Sequence, residues 1–280
     1  MLRFFSAALS SFVLIGASVT LLACSSSTVD AVPELAGPSA GADRVSAEAG
    51  SAVILELFTS QGCSSCPPAD DVLSRVGREA ASKGRVIPLA FHVDYWNRIG
   101  WADPFSAGEW SERQRVYSSA LGLDGLYTPQ LIVGGQAQFV GSNEERVRQE
   151  IAAALATQPA SRIALATKTA GGAAVTVNIT AEVLRDVDDG NLRVTAALFE
   201  NALVTPIRRG ENSGRTLAND FVVRRLERGA EVESEAGARY QGVMTFEVDP
   251  AWKIENLGVA VFLQDERTMR IHGAAAQSLR

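Results

Sequence analysis

Two cysteines separated by two residues, Cys63 and Cys66, are the side chains of this sequence best suited to covalent chemistry. They lie in the run Phe58-Thr59-Ser60-Gln61-Gly62-Cys63-Ser64-Ser65-Cys66-Pro67-Pro68. A thiolate attacks disulfides, and a second thiol three residues on reaches the first sulfur within one helical turn. Before the pair, Val53-Ile54-Leu55-Glu56-Leu57-Phe58 reads as a buried strand; after it, Val72, Leu73 and Val76 keep helical spacing. The pair therefore sits where a strand hands over to a helix. A first helical turn has unpaired N–H groups and partial positive charge, which stabilise a thiolate and lower its pKa. Cys63, at or near the N-cap, is the expected attacking thiol; Cys66, one turn in, is the expected resolving thiol. Pro67 and Pro68 suit an early helical turn, where a missing N–H costs little.

Blander readings of the pair are a structural disulfide and a zinc half-site. A single C-x-x-C lacks the second ligand pair of a zinc site. A disulfide across so short a loop gives little chain-entropy stabilisation. Glu56 interrupts an apolar strand and shares a face with Ile54 and Phe58. Burial raises a carboxyl pKa, so Glu56 is a candidate proton acceptor for Cys66; the alternatives are a solvated edge glutamate or one paired with an arginine. His92 and Asp94 alternate with Phe91 and Val93, so both are expected on one side, tuning the site, binding metal, or simply hydrogen-bonded in the fold. Soft thiolates suit Cu(I), which makes Cys63, Cys66 and His92 a rival copper-carrying set. His272 is the only other histidine, so a site with three histidines is excluded. Trp96, Trp101 and Trp110 either floor a groove or pack.

The elements around these residues follow from pattern. The helix after Cys66 is expected to end at Lys83-Gly84. A strand covers 86–93, with Pro88 hinting at an early or edge position. An aromatic loop covers 94–101. Ser106-Ala107-Gly108-Glu109 and Ser142-Asn143-Glu144-Glu145 read as capping boxes, opening helices to about Leu121 and Ala156. Between them, 128–135 and 136–140 read as a strand hairpin. The order is strand, helix, strand, helix, strand, strand, helix.

That stretch, 53–156, resembles a thioredoxin-like domain. The resemblance implies a redox pair at a helix N-terminus, met by Cys63 and Cys66, and a cis-proline before a later strand, met by Thr128-Pro129. It further implies that Pro129 packs on the disulfide and that Thr128 offers its backbone to a substrate chain. A buried acid in the analogous strand matches Glu56. More closely, the chain resembles the bacterial family DUF1223. The run from Glu56 to Asp70 carries this, with His92-Val93-Asp94-Tyr95-Trp96, Gly100-Trp101, Asp103-Pro104-Phe105, Tyr127-Thr128-Pro129-Gln130 and Gly210-Glu211-Asn212-Ser213-Gly214-Arg215-Thr216-Leu217. Asn97 stands where that family has an acid, and Asn219 where a histidine is expected.

From about Ala160 the pattern becomes short alternating runs at 162–167, 174–179, 192–199, 243–248 and 259–263, with turns at Gly171-Gly172 and Asp188-Asp189-Gly190. These suggest an antiparallel sandwich. Residues 208–220 read either as a solvated turn or as a rim of the cysteine site. The expected fold is thus an α/β thioredoxin-like domain (51–158) followed by a mainly antiparallel, sandwich-like β domain (159–280).

The N-terminus reads as an export signal over 1–23: Arg3 is the only charge before Asp30, and an apolar run ends in Leu21-Leu22-Ala23-Cys24. A simple secretory peptide and a membrane anchor are the alternatives. Ala23-Cys24-Ser25 resembles a bacterial lipobox, which implies acylation of Cys24 and, through Ser25, an outer-membrane anchor facing the periplasm. Residues 24–50, rich in small residues, read as a disordered tether. Of three cysteines, two then remain, as a pair, in a disulfide-permissive compartment. A net charge of −6 without a basic cluster argues against nucleic acid as a partner. The expected function is an exported thiol–disulfide oxidoreductase that needs no cofactor. Its expected partners are exported protein thiols or disulfides and a redox partner. Copper delivery and a non-catalytic partner-binding lipoprotein are the rivals.

Overall fold

The computed structural model describes residues 52–81, 85–188 and 191–279, all within one compact unit. The export segment, Cys24 and the tether lie outside the described residues, as do Lys83-Gly84 and Asp189-Gly190. The chain runs β1 (Val53–Thr59), α1 (Pro67–Ala81), β2 (Val86–His92), α2 (Gly108–Ala120), β3 (Gln130–Val133), β4 (Ala137–Val140) and α3 (Glu144–Ala156). This is the order expected from pattern. It continues through β5 (Ser161–Ala170), β6 (Ala174–Val183), β7 (Leu192–Glu200), β8 (Leu203–Pro206), β9 (Thr216–Asn219), β10 (Val222–Val232), β11 (Arg239–Glu247), β12 (Leu257–Asp265) and β13 (Ile271–Ser278).

The result is a mixed α/β fold with few helices and one large, mostly antiparallel sheet. Eight strands pair in the order β13-β12-β7-β10-β2-β1-β3-β4; β11-β6-β5 and β8-β9 form smaller sheets. The large sheet crosses position 158/159 without a break, because β10 meets β2 in parallel at Val222↔Ala90. The sandwich expected of the C-terminal stretch is therefore shared. One layer is the three-stranded sheet, and the other is the C-terminal half of a sheet that also holds β1 to β4.

Periodicity explains the layers. On β1, Val53, Leu55 and Leu57 face α1 and α3 in one apolar cluster, while Ile54 and Phe58 pack with Trp110 and Tyr117 of α2. On β7, Leu192, Val194, Ala196 and Leu198 meet the three-stranded sheet, while Ala197 and Phe199 join the cluster under α2. A strand buried on both faces reads as a continuous apolar run; β12 does so from Leu257 to Leu263, and β7 from Ala196 to Phe199. By contrast β6 alternates, with Val175, Val177 and Ile179 turned inward.

Two helix starts differ from expectation. The N-cap of α2 is Ala107, without a side-chain cap, because Ser106 Oγ donates instead to the carbonyl of Asp103 (2.8 Å). α3 is capped by Asn143, not Ser142; Asn143 Oδ1 accepts from the N–H of Arg146 (3.2 Å). Pro88 lies in an interior strand, yet β10 pairs with β2 at only one position, so most of that strand edge needs no donors.

Candidate active site at the start of helix α1

Cys63 and Cys66 are joined as a disulfide, with Cα atoms 5.5 Å apart. α1 begins at Pro67, and the N–H groups of Ala69 and Asp70 donate to the carbonyl of Cys66 (2.8 and 3.1 Å). Cys66 is thus the residue at the N-cap, and Cys63 lies in the preceding turn. This shifts the expected placement by one turn. Both cysteines are 0 % exposed, whereas Ser64 and Ser65 between them are exposed.

Thr128 Oγ1 donates to Cys63 Sγ (3.3 Å) and accepts from the indole N–H of Trp96 (2.8 Å). Ser65 Oγ is also 3.3 Å from that sulfur. Hydroxyl donors aimed at a sulfur favour its thiolate once the disulfide opens. The Thr128-Pro129 peptide bond is cis. Gly62 makes room for the aromatic loop: a Cβ there would lie 3.2 Å from Trp96 Cβ. Trp101 Nε1 donates to Gln61 Oε1 (3.3 Å), while Trp110 is core.

Residues 207–215 form a strap over the pair. Asn212 Nδ2 donates to the carbonyls of Gln61 and Cys63 (both 2.9 Å), and Glu211 Oε2 accepts from the N–H of Ser64 (2.9 Å). That hydrogen bonding to Ser64 holds the Glu211 carboxyl below its usual range. Gly210, at φ 77°, lets the strap backbone approach Gly100 and Trp101 closely. Of the two readings of 208–220, the rim is the one observed.

Beside the Cys63–Cys66 turn lies a buried acid–base group, of which pattern reasoning finds His92 but gives Asp103 and Asp70 no role. His92 Nδ1 contacts Asp103 Oδ2 at 2.7 Å, and the same oxygen accepts from the N–H of Gln61 (2.7 Å). Burial pushes the His92 pKa down, but the Asp103 carboxylate outweighs it and leaves it raised. Burial likewise pushes Asp103 up, and His92 with the N–H groups of Gln61 and Phe105 brings it below its usual range. Asp70 sits one turn after Cys66, 6 % exposed. Its carboxyl is pushed up to about 7, chiefly by burial, against the pull of His92. Thr59 Oγ1, Asp70 Oδ1 and His92 Nε2 are buried and make no hydrogen bond of normal geometry, although the Thr59 hydroxyl lies near enough to Asp70 to lower its pKa in part; Thr59 and His92 are register neighbours on β1 and β2.

Two expected site residues fall elsewhere. Glu56 is bound by Arg113, through Nε at 2.6 Å and Nη2 at 2.9 Å, and by the hydroxyl of Tyr117. This is the arginine-paired alternative. Asp94 does not join His92: its Oδ1 accepts from Ser111 Oγ (2.5 Å) on α2. The strand ends at His92, so alternation no longer governs Asp94. Among the described residues no three His, Cys, Asp or Glu side chains converge as a metal site.

A family model described as a protein of unknown function, DUF1223, matches residues 54–264. The chain belongs to the DUF1223 family. No curated protein matches it in sequence. A crystal structure of protein AGR_C_4864 from Agrobacterium tumefaciens is 28 % identical, with a TM-score of 0.61, covering 84 % of this chain and 97 % of that one. HBP35 of Porphyromonas gingivalis is similar in fold, with a TM-score of 0.63 at 16 % identity, over 82 % of this chain and 75 % of that one. Several runs that carry the DUF1223 resemblance converge on the disulfide: Gln61 to Asp70, His92, Asp103, Thr128-Pro129 and Glu211-Asn212. Both positions at which a departure from the family is expected touch this region. Asn97 Oδ1 accepts from the N–H of Asp103 (3.0 Å), and Asn219 Oδ1 accepts from Gln61 Nε2 (2.8 Å). The signal for Asp103 and Asn212 lay in those runs; periodicity gives neither a role.

Proposed function

We propose that this DUF1223 protein is an exported thiol–disulfide oxidoreductase built on a thioredoxin-like core. The carrying observation is the Cys63–Cys66 disulfide at the start of α1 with Thr128 donating to Cys63 Sγ. The parallel β1/β2 pair, the antiparallel β3/β4 hairpin and the cis Thr128-Pro129 bond support the thioredoxin-like reading. In the oxidised protein a substrate thiolate attacks Cys63 Sγ. The Cys63–Cys66 bond breaks, and the Cys66 sulfur leaves with the bond's electron pair. Asp70, whose carboxyl titrates near neutral pH, supplies a proton to Cys66 in place of the expected Glu56. A second substrate thiolate then attacks the substrate sulfur of the mixed disulfide and releases Cys63 as thiolate. The substrate loses two electrons and the pair gains them; a thiol–disulfide partner returns the pair to its starting state. Reduction of a substrate is the same path reversed.

Cys63→Ser is expected to abolish exchange with dithiothreitol, measured by quenched thiol alkylation, while the protein stays folded. Undiminished exchange in that variant sinks the proposal. A second reading, in which the pair is a structural clip, is favoured by the full burial of both sulfurs. It predicts that the native protein does not exchange until denatured.

We place the protein in the periplasm, lipid-anchored to the outer membrane through Cys24, on the strength of the sequence before Asp30. No helix among the described residues is long and apolar enough to cross a membrane. Metabolic labelling with a fatty acid tests this: Cys24→Ser should lose the label, and a labelled variant would overturn the anchor.

A further inference from the structure

At the end of β1 opposite the disulfide, a cavity of about 320 Å³ opens between α3 and β13. That volume is at the small end of the range for small-molecule sites. Ala52 and Ile54, Ala153 and Ala154, and Ile271 supply apolar walls. Three basic side chains also line it: Arg185, Arg270 and His272. Arg185 donates to the carbonyl of Gln158, and Arg270 to Gln136 Oε1 at 3.3 Å. Both acceptors are neutral. Neither guanidinium has a carboxylate partner among the described residues. His272 Nε2 is buried without a partner. The carboxylate lining the cavity, Glu150, is already engaged by Arg146 at 3.6 Å.

An arginine normally meets a planar anion through its forked N–H groups. Two such forks without an anion, beside an unsatisfied buried imidazole nitrogen, leave a positive site with apolar walls. We propose that this cavity binds a small organic monocarboxylate, its head group between Arg185, Arg270 and His272 Nε2 and its apolar body against Ala153, Ala154 and Ile271. The redox reading plays no part in it.

The electrostatics of His272 agree and supply a readout. Burial holds its pKa below the usual value, Arg270 and Arg185 add to this, and Asp265 opposes them. A bound carboxylate cancels the field of the two arginines, so binding raises the His272 pKa. By reciprocity, binding is strongest where His272 is protonated and weakens as pH rises through the bound-state pKa.

The test titrates the folded protein with hexanoate, following the His272 ring signals by NMR and the heat by calorimetry. A saturable response with Kd of about 1 mM or tighter, a raised His272 pKa, and at least tenfold weaker binding in the Arg185→Gln/Arg270→Gln double variant are expected. Both arginines are exposed, so the double variant should melt as the parent does. His272→Ala, followed by calorimetry, is a second variant expected to weaken binding. No saturable response, or equal affinity in the double variant, would overturn the site. Inorganic phosphate binding as tightly as hexanoate would overturn the apolar body as part of the ligand.

Discussion

The two faces of β1 each bury an acid, and they treat it in opposite ways. Under α2, Glu56 is held by both nitrogens of an Arg113 fork, by Tyr117 and, through Arg113, by Gln264 of β12 (3.0 Å). Arg113 further lies over the rings of Phe91, Tyr117 and Phe262 at 5.3 to 5.7 Å. This network joins β1, α2 and β12, and so links the N-terminal strands to the C-terminal ones. Under α1, Asp70 forms no direct ion pair among the described residues and feels His92 only at a distance; one of its oxygens lacks a hydrogen bond, and its carboxyl is pushed up to about 7. A saturated ion pair resists a change of protonation; an under-satisfied carboxyl near neutral pH invites one. Burial of an acid therefore does not by itself mark a proton donor. What the acid is paired with decides.

The sharpest way to break this contrast is to remove the cation. Arg113→Met keeps much of the apolar stem but leaves Glu56 buried and unpaired, which costs about 3–5 kcal/mol. Urea denaturation should show that loss, and Glu56→Gln/Arg113→Met should recover most of it. Dithiol exchange by the folded fraction should be unchanged in either. A cost well below 1 kcal/mol, as for an exposed pair, would mean that water reaches Glu56 and that the two faces do not differ.

On the other face, Asp70→Asn probes the proton. The folded-state pKa of Asp70 lies above its unfolded value, so the native state keeps a proton that the unfolded chain releases. Stability from this group is full at low pH and is lost as pH rises from about 4 to about 7. Asp70→Asn lacks that loss. Relative to the parent it should gain on the order of 2–4 kcal/mol between pH 4 and pH 8, read from denaturation of the oxidised forms. The step that frees or protonates Cys66 should slow by about 10²-fold at pH 7. A pH-independent stability difference would contradict the raised pKa, and an unchanged exchange rate would remove Asp70 from the chemistry.

How far these features were legible in the sequence depends on the range of the contact. Strand-to-helix order over 53–156 and the cysteine pair were readable because periodicity and the Cys–Pro–Pro run are local. Missed strands have local signals that mislead. β13 is Ile-His-Gly-Ala-Ala-Ala-Gln-Ser, poor in β-branched residues, and β10 is dense in charge. Tertiary pairing with β12 and β7 overrides both. Glu56 was legible as buried, but its partner is 57 residues away. Alternation puts His92 and Asp94 on one side, but it fails once the strand has ended, and the partner of His92, Asp103, comes from a loop. The strap over Cys63 arrives from about 149 residues further on, which no window can join.

The smallest expected effect concerns that strap, and it asks whether the Asp70 face is the working face. If chemistry occurs at Cys63, residues 210–214 must move to admit a second sulfur, because Asn212 and Glu211 occupy the backbone groups beside it. The Glu211 carboxylate also competes with a Cys63 thiolate for the N–H of Ser64 in the turn before α1, and two negative charges there repel. Glu211→Gln removes the repulsion and weakens the strap's bond to Ser64. Asn212→Ala removes both bonds to the carbonyls of Gln61 and Cys63. Both variants should react faster with dithiothreitol, by a few-fold for Glu211→Gln and more for Asn212→Ala, and reduced Glu211→Gln should show a lower Cys63 pKa by thiolate absorbance. If both variants react at the parental rate, the strap does not limit access. If they react faster while the Cys63 pKa stays where it was, the strap is a cover only, and Glu211 exerts no electrostatic control over the nucleophile.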